Sequence, residues 1–140
     1  SLTGNGVMIV LKGGARLEIN GGANINLTAM SSSELVTAGV SSDDADDLAG
    51  MLVFQDPNGT APQNAPSING NASTTLNGIL YFPLSEVRIN GSARVTSQCL
   101  MIAAARITIL GDTNMSSFCP TGESNDVVVA NTIGAVRLVG

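Results

Sequence analysis

The chain returns to the triplet Ile-Asn-Gly at regular intervals. The triplet stands at 19–21, 68–70 and 89–91, and two weaker copies, ITILG and VRLVG, end at Gly111 and Gly140. The second, third and fourth copies end 21 and 20 residues apart. A fixed period of this length is typical of repeat proteins in which each repeat is one supersecondary unit. This period constrains the fold more than any other feature of the sequence.

Within each repeat, apolar and polar residues alternate with period two, which indicates strands with one buried face. The position two residues before the turn glycine is apolar in all five copies: Ile19, Ile68, Ile89, Ile109 and Leu138. The position four residues after the glycine forms a second set: Ile25, Thr74, Val95 and Met115. A further run in each repeat, such as GMLVF at 50–54 or GILYF at 78–82, is denser in apolar residues, so we expect its outer face to be partly covered.

We predict an all-β fold, a right-handed parallel β-helix of about five coils of 20–21 residues. One domain spans residues 1–140, and the crossover rule for parallel strands gives the handedness. Insertions near 30–49 and 55–66, and a smaller one near 120–125, are predicted to be loops that account for the longer interval between the first two copies. A β-sandwich is the alternative, but it does not require a constant period.

The composition fits narrow, regular packing. Aromatic residues make up 3% of the chain and charged residues 12%, and Trp and His do not occur. The core must therefore consist of small and β-branched side chains. Glycine permits a tight corner after each asparagine. Stacked coils would bring Asn20, Asn69 and Asn90 together as an amide ladder at this corner.

The two cysteines occupy the same position in adjacent repeats. Cys99 and Cys119 each follow the turn glycine of their repeat by eight residues. Neighbouring parallel strands lie about 4.8 Å apart, within the Cα separation that a disulfide needs. We therefore predict a disulfide between them, with two stacked buried thiols as the alternative. A disulfide implies an extracellular, cell-surface or periplasmic location.

Charge and hydropathy exclude several classes of partner. The net charge is -5, and the six basic residues are scattered, so no basic surface for nucleic acid is expected. There is no apolar run of the length that crosses a bilayer, so we expect no membrane span.

The densest acidic cluster lies in the first predicted insertion. Asp43, Asp44, Asp46 and Asp47 follow one another closely, with Glu34 upstream. Four carboxylates in a flexible loop could hold Ca²⁺, but the spacing lacks the pattern of a dedicated calcium loop. A solvated acidic loop is the preferred interpretation, and no cofactor is expected.

We expect no catalytic activity. Glu18, Arg88 and Arg137 share one outward column with Ser67 and Thr108 between them, which favours weak surface ion pairs. Without histidine there is no conventional proton shuttle, and the few aromatic residues give no platform for sugars. A carbohydrate-active β-helix enzyme is an alternative.

The last predicted coil, VVVANTIGAVRLVG, has no charged cap. Solenoids normally shield the end of their core, so we expect either truncation or a partner at this open end. That partner is another protein or a second copy of the chain, which would make the protein a self-assembling filament subunit. A surface glycan is a further candidate partner. Glycosylation acceptor sequences begin at Asn26, Asn58, Asn71, Asn90 and Asn114.

These motifs together resemble a known family. The pattern at Gly50 to Asp56, Ser67 to Pro83, Val87 to Ser92, Cys99 to Gly111 and Cys119 is similar to the extracytoplasmic β-helical region of TadG-like proteins of the bacterial tight-adherence (Flp) pilus system. GVMIVLKGG, from Gly6, resembles the first strand of that region. The resemblance implies a right-handed β-helix and an envelope-associated or surface-exposed accessory of pilus assembly or adhesion. It carries over no catalytic residues.

Overall fold

The fold is mostly β, with a parallel sheet that curls into a half-barrel. This architecture is compatible with the predicted β-helix. The structure, a computed structural model, describes residues 1–20, 22–69, 73–90, 94–97, 100–111 and 114–117.

Ten strands and two short helices lie within the described ranges. The strands are β1 (Leu2–Val7), β2 (Ile9–Leu11), β3 (Glu18–Ile19), β4 (Asn24–Ala29), β5 (Met51–Gln55), β6 (Ser67–Asn69), β7 (Ser73–Asn90), β8 (Arg94–Ser97), β9 (Leu100–Leu110) and β10 (Asn114–Ser117). The helices are α1 (Ser32–Thr37) and α2 (Ser42–Leu48). Both helices are far too short to cross a bilayer. Among the described residues, no helix is long and apolar enough to do so.

The strands form three strips, and neighbouring strands within each strip pair in parallel. The first strip joins β1, β4, the start of β7, β8 and β10. The second joins β2, β5, the middle of β7 and the start of β9. The third joins β3, β6, the end of β7 and the end of β9. The chain visits the strips in the order first, second, third, and we call one such passage a layer. Layer one consists of β1, β2 and β3, layer two of β4, β5 and β6, layer three of β7, and layer four of β8 and β9.

Residues that the predicted repeat aligns, once the insertions are left out, lie opposite each other in neighbouring strands. In the third strip, Ile19 pairs with Ile68, Ile68 with Ile89, and Ile89 with Ile109. In the first strip, Ile25 pairs with Thr74. The register predicted from the repeat is thus confirmed in these strands. Equivalent side chains form columns because neighbouring strands lie about 4.8 Å apart.

The core lies on the inner face of the curled sheet. Alternate residues of the strands point inward, as the period-two pattern predicts, and each large one stabilises the fold by about 1.5–3 kcal/mol on burial. The buried cluster consists of Leu11, Ile19, Leu27, Leu52, Val53, Ile68, Leu76, Leu80, Phe82, Val87 and Ile89. In layer four, the equivalent Ile107 and Ile109 are 46% and 53% exposed.

The first insertion differs from the predicted loop because it contains α1 and α2. Ser31 caps α1 in a capping box with Glu34, and Ser41 caps α2. These caps satisfy amide groups that a short helix would otherwise leave unpaired. Leu35 and Ala45 are buried, so each helix is also held by an apolar side chain. The second insertion, residues 56–66, contains neither helix nor strand.

Candidate functional site

The helical insertion leaves and rejoins the sheet at one point. The Gly50 amide donates to the Met30 carbonyl at 2.9 Å, which closes the neck of the insertion. The Ile79 amide of layer three donates to the Gly50 carbonyl at 2.8 Å, so the sheet continues past the neck. In layer three a single residue, Gly78, turns the same corner between Asn77 and Ile79. The insertion is therefore an addition to a layer that is complete without it.

The first turn of α1 lies against β1. Glu34 accepts hydrogen bonds from the Ser31 amide and hydroxyl, both at 2.8 Å, and these bonds lower the pKa of Glu34. A Cβ atom on Gly6 would lie only 2.9 Å from Glu34 Oε1. The Glu34 carboxylate thus lies close to the backbone of Gly6 in layer one.

The acidic cluster Asp43, Asp44, Asp46 and Asp47, the weak calcium candidate, lies on α2, and its side chains are exposed. Asp44 accepts a hydrogen bond from the Ser41 hydroxyl at 2.6 Å, and Asp46 accepts one from the Ser32 hydroxyl. Two of the four carboxylates therefore help to hold the insertion together. In the part of the chain that the structure describes, no group of three or more His, Cys, Asp or Glu residues could hold a metal ion.

The amides of Asn20, Asn69 and Asn90 form a ladder at the end of the third strip. Asn90 Nδ2 donates to Asn69 Oδ1 at 2.7 Å, and Asn69 Nδ2 donates to Asn20 Oδ1 at 3.3 Å. Asn20 also donates to Glu18 at 3.2 Å, and Asn69 to Ser67 at 3.2 Å. The side-chain hydrogen bonds of the ladder connect three layers, in addition to the backbone pairing of the strands.

The charged column of the third strip has the expected register. Glu18 lies opposite Ser67, Ser67 opposite Arg88, and Arg88 opposite Thr108. The ion pairs of this column, however, form between residues two positions apart in sequence, since Glu18 contacts Arg16 and Arg88 contacts Glu86 at 3.0 Å.

Glu86, in the same strip, is held by two partners. It accepts hydrogen bonds from Arg88 Nη2 at 3.0 Å and from the Thr108 hydroxyl at 2.6 Å. These two bonds, the Arg88 bond first, lower the pKa of Glu86. A carboxylate held ionised in this way is poorly suited to act as a general base or acid near neutral pH.

The outer face of the second strip carries an aromatic pair that the sequence analysis did not predict. The rings of Phe54 and Tyr81 stack with their centroids 5.6 Å apart and their planes at 25°. Val10 and Met101 on the same strip are 46% and 38% exposed. The apolar runs GMLVF and GILYF were the sequence signal that could have indicated this pair, since they contain Phe54 and Tyr81. Met51 pairs with Ile79, but a bulge after Met51 shifts the register, so that equal positions in the rest of the two runs do not pair.

Several predicted features lie outside the described residues. They are Cys99, Cys119, Arg137, the insertion near 120–125 and the last predicted coil. In comparisons with models of known protein families, with curated proteins and with solved structures, the chain matches none.

Proposed function

We propose that the chain is a non-catalytic structural or adhesive module of the bacterial cell envelope or surface, linked to pilus assembly or adhesion and built as a right-handed parallel β-helix. The observation that carries the proposal is the helical insertion, which is added at one point to an otherwise repeating layer. The resemblance to TadG-like proteins supports the location and the link to pili.

The β-helix is supported by the order in which the chain visits the strips. Each layer passes through the first, second and third strip in turn, and every described pairing is parallel. Right-handed crossovers are strongly preferred between parallel strands of one sheet. A closed coil also explains why columns of equivalent residues recur on all three strips.

The proposed mechanism is geometric. The sheet is a rigid frame, and both insertions, 31–49 and 56–66, leave the same layer, one on each side of β5. The first insertion exposes the α2 carboxylates and Val36, which is 46% exposed. A protein partner with a basic surface would complement this charge. Ion-paired Glu18 and Glu86 favour this role over a carbohydrate-active enzyme.

A precise deletion tests the proposal. Replacing residues 29–50 with one glycine gives Thr28–Gly–Met51, which reproduces the corner Asn77–Gly78–Ile79 of the next layer. We expect the variant to keep the β circular dichroism and cooperative unfolding of the parent, and to lose binding to envelope fractions of bacteria that carry tight-adherence pili. The matched control is a variant in which the segment between Phe54 and Ser67 is shortened to the length of the corresponding layer-three segment, which lies between Tyr81 and Arg88. Equal binding by the deletion variant and the parent, or no binding by the parent, would contradict the proposal.

A further inference from the structure

Six asparagines in this chain are followed directly by glycine. They are Asn5, Asn20, Asn58, Asn69, Asn77 and Asn90. An asparagine in this context can undergo attack by the backbone nitrogen of the next residue on its own side-chain carbonyl carbon. Glycine favours the attack because it has no Cβ to hinder the approach.

Four of the six asparagines are restrained by side-chain hydrogen bonds, and the fifth, Asn58, lies in a turn held by backbone amides. Asn20, Asn69 and Asn90 belong to the amide ladder, so ring closure would first have to break it. Asn77 donates to the Thr28 hydroxyl at 3.4 Å. At Asn58 the attacking group is occupied instead, because the Gly59 amide donates to the Asp56 carbonyl at 3.1 Å.

Asn5 shares neither the side-chain hydrogen bonds of the ladder asparagines and Asn77 nor the loop setting of Asn58. Its side chain is exposed and makes no hydrogen bond to any residue that the structure describes. It also lies in a bulge of β1, where Gly4 pairs with Leu27 and Val7 with Ala29. Asn5 and Gly6 together face a single residue of β4 there, so ring closure between them disturbs little of the regular pairing.

We propose that Asn5 is a self-modification site, at which the folded chain deamidates through a cyclic succinimide. The Gly6 nitrogen forms a bond to Asn5 Cγ and loses its proton, and the side-chain nitrogen leaves with that proton as ammonia. Water then opens the ring at either carbonyl and gives aspartate or isoaspartate. The net reaction consumes one water and releases one ammonia. The product carries a negative charge in a stretch, residues 1–11, that otherwise has no charged side chain.

Peptide mapping by mass spectrometry tests the proposal. The folded protein is aged in mildly alkaline buffer, and the exchange of amide for carboxylate is quantified at all six positions, with fragmentation that distinguishes isoaspartate. We expect reaction at Asn5 to be faster than at any ladder asparagine by about fivefold for each side-chain hydrogen bond that must break. Asn5→Gln should remove most of the product, because glutamine closes its ring slowly, whereas Asn58→Gln should leave the total nearly unchanged.

The same ageing in denaturant shows whether the fold selects the site. Without the fold, the six Asn-Gly sequences should react at similar rates, and the preference for Asn5 should disappear. Product spread evenly over the six positions in the folded protein, or concentrated at Asn58, would overturn the proposal. A preference for Asn5 that persists in denaturant would overturn the structural explanation as well.

Discussion

Gln55 and Ser85 exchange two hydrogen bonds in the interior, although they are 30 residues apart in sequence. Gln55 Nε2 donates to the Ser85 hydroxyl at 2.8 Å, and that hydroxyl lies 3.2 Å from Gln55 Oε1, to which it donates. The Leu84 amide also donates to Gln55 Oε1 at 3.0 Å. Both side chains are buried. This pair connects β5 to β7 where the register of β7 and β9 shifts, between Phe82 and Glu86.

Removing one partner of this pair should destabilise the fold. Ser85→Ala leaves the buried Gln55 amide without its partner, at a cost of about 1–3 kcal/mol in the free energy of unfolding. Urea denaturation measures the loss. Thr75→Ala, at a half-exposed position of the same strand, is the control and should change stability by less than about 0.5 kcal/mol. Equal effects of the two substitutions would contradict the assignment.

The buried hydroxyl of Thr74 should be dispensable. Thr74 is 2% exposed, and its Oγ1 has no hydrogen-bond partner among the described residues. Thr74→Val removes the unpaired group at constant shape, so we expect stabilisation of about 1 kcal/mol, seen as a higher urea midpoint. Thr75→Val, next along the strand and half exposed, should have little effect. A loss of stability in Thr74→Val would show that the hydroxyl has a partner.

The centre of the asparagine ladder should matter more than its end. Asn69 takes part in three side-chain hydrogen bonds, with Asn20, Ser67 and Asn90, and Asn20 takes part in two. We expect Asn69→Ala to cost about 1–3 kcal/mol, because Asn69 is also the less exposed of the two. Asn20→Ala should cost less. Thermal unfolding of both variants tests this order, and the reverse order would contradict it.

Gly78 should not tolerate a side chain. Its φ is +137°, and a Cβ there would lie 2.7 Å from both the Ala29 Cβ and the Gly50 carbonyl oxygen. Gly78→Ala should therefore lower stability by about 2–4 kcal/mol through strain and overpacking together. Gly13 also has a positive φ, +60°, but open space around it. Gly13→Ala thus measures the backbone cost alone, and an equal loss in both variants would exclude the steric contribution.

Stability should fall in acid partly through Glu86. The hydrogen bonds from Arg88 and Thr108 lower the pKa of Glu86 in the folded protein. A lowered folded pKa means that the stabilisation is present above the unfolded pKa and is lost as pH falls through the folded pKa. Glu86→Gln should therefore flatten the decline of the urea midpoint across the acidic range. An unchanged slope would show that Glu86 does not contribute.

The registers of the first and third strips followed from the sequence, because residues that the repeat aligns must lie opposite each other when parallel strands stack. In the second strip the pairing differs by one residue from the predicted register. Gly78 follows its turn glycine by eight residues, as Cys99 does, yet it lies opposite Leu100. Ile68 and Ile89 are neighbours for this reason, and so are Asn69 and Asn90. The position of the bulge after Met51 could not be predicted from the period. It places two consecutive buried residues, Leu52 and Val53, in the core and thereby sets Phe54 beside Tyr81.

By itself, the sequence determined the period, the strand faces and the positions of the insertions, since these depend only on spacing and on the alternation of apolar and polar residues. Only the tertiary structure decided what the first insertion becomes. Its two short helices depend on Ser31 and Ser41 as caps and on burial of Leu35, and a helix of this length is not stable alone. The tertiary structure also decided that Gln55 binds Ser85 while the Thr74 hydroxyl binds no residue of the described ranges, because such pairings join side chains that no repeat relates.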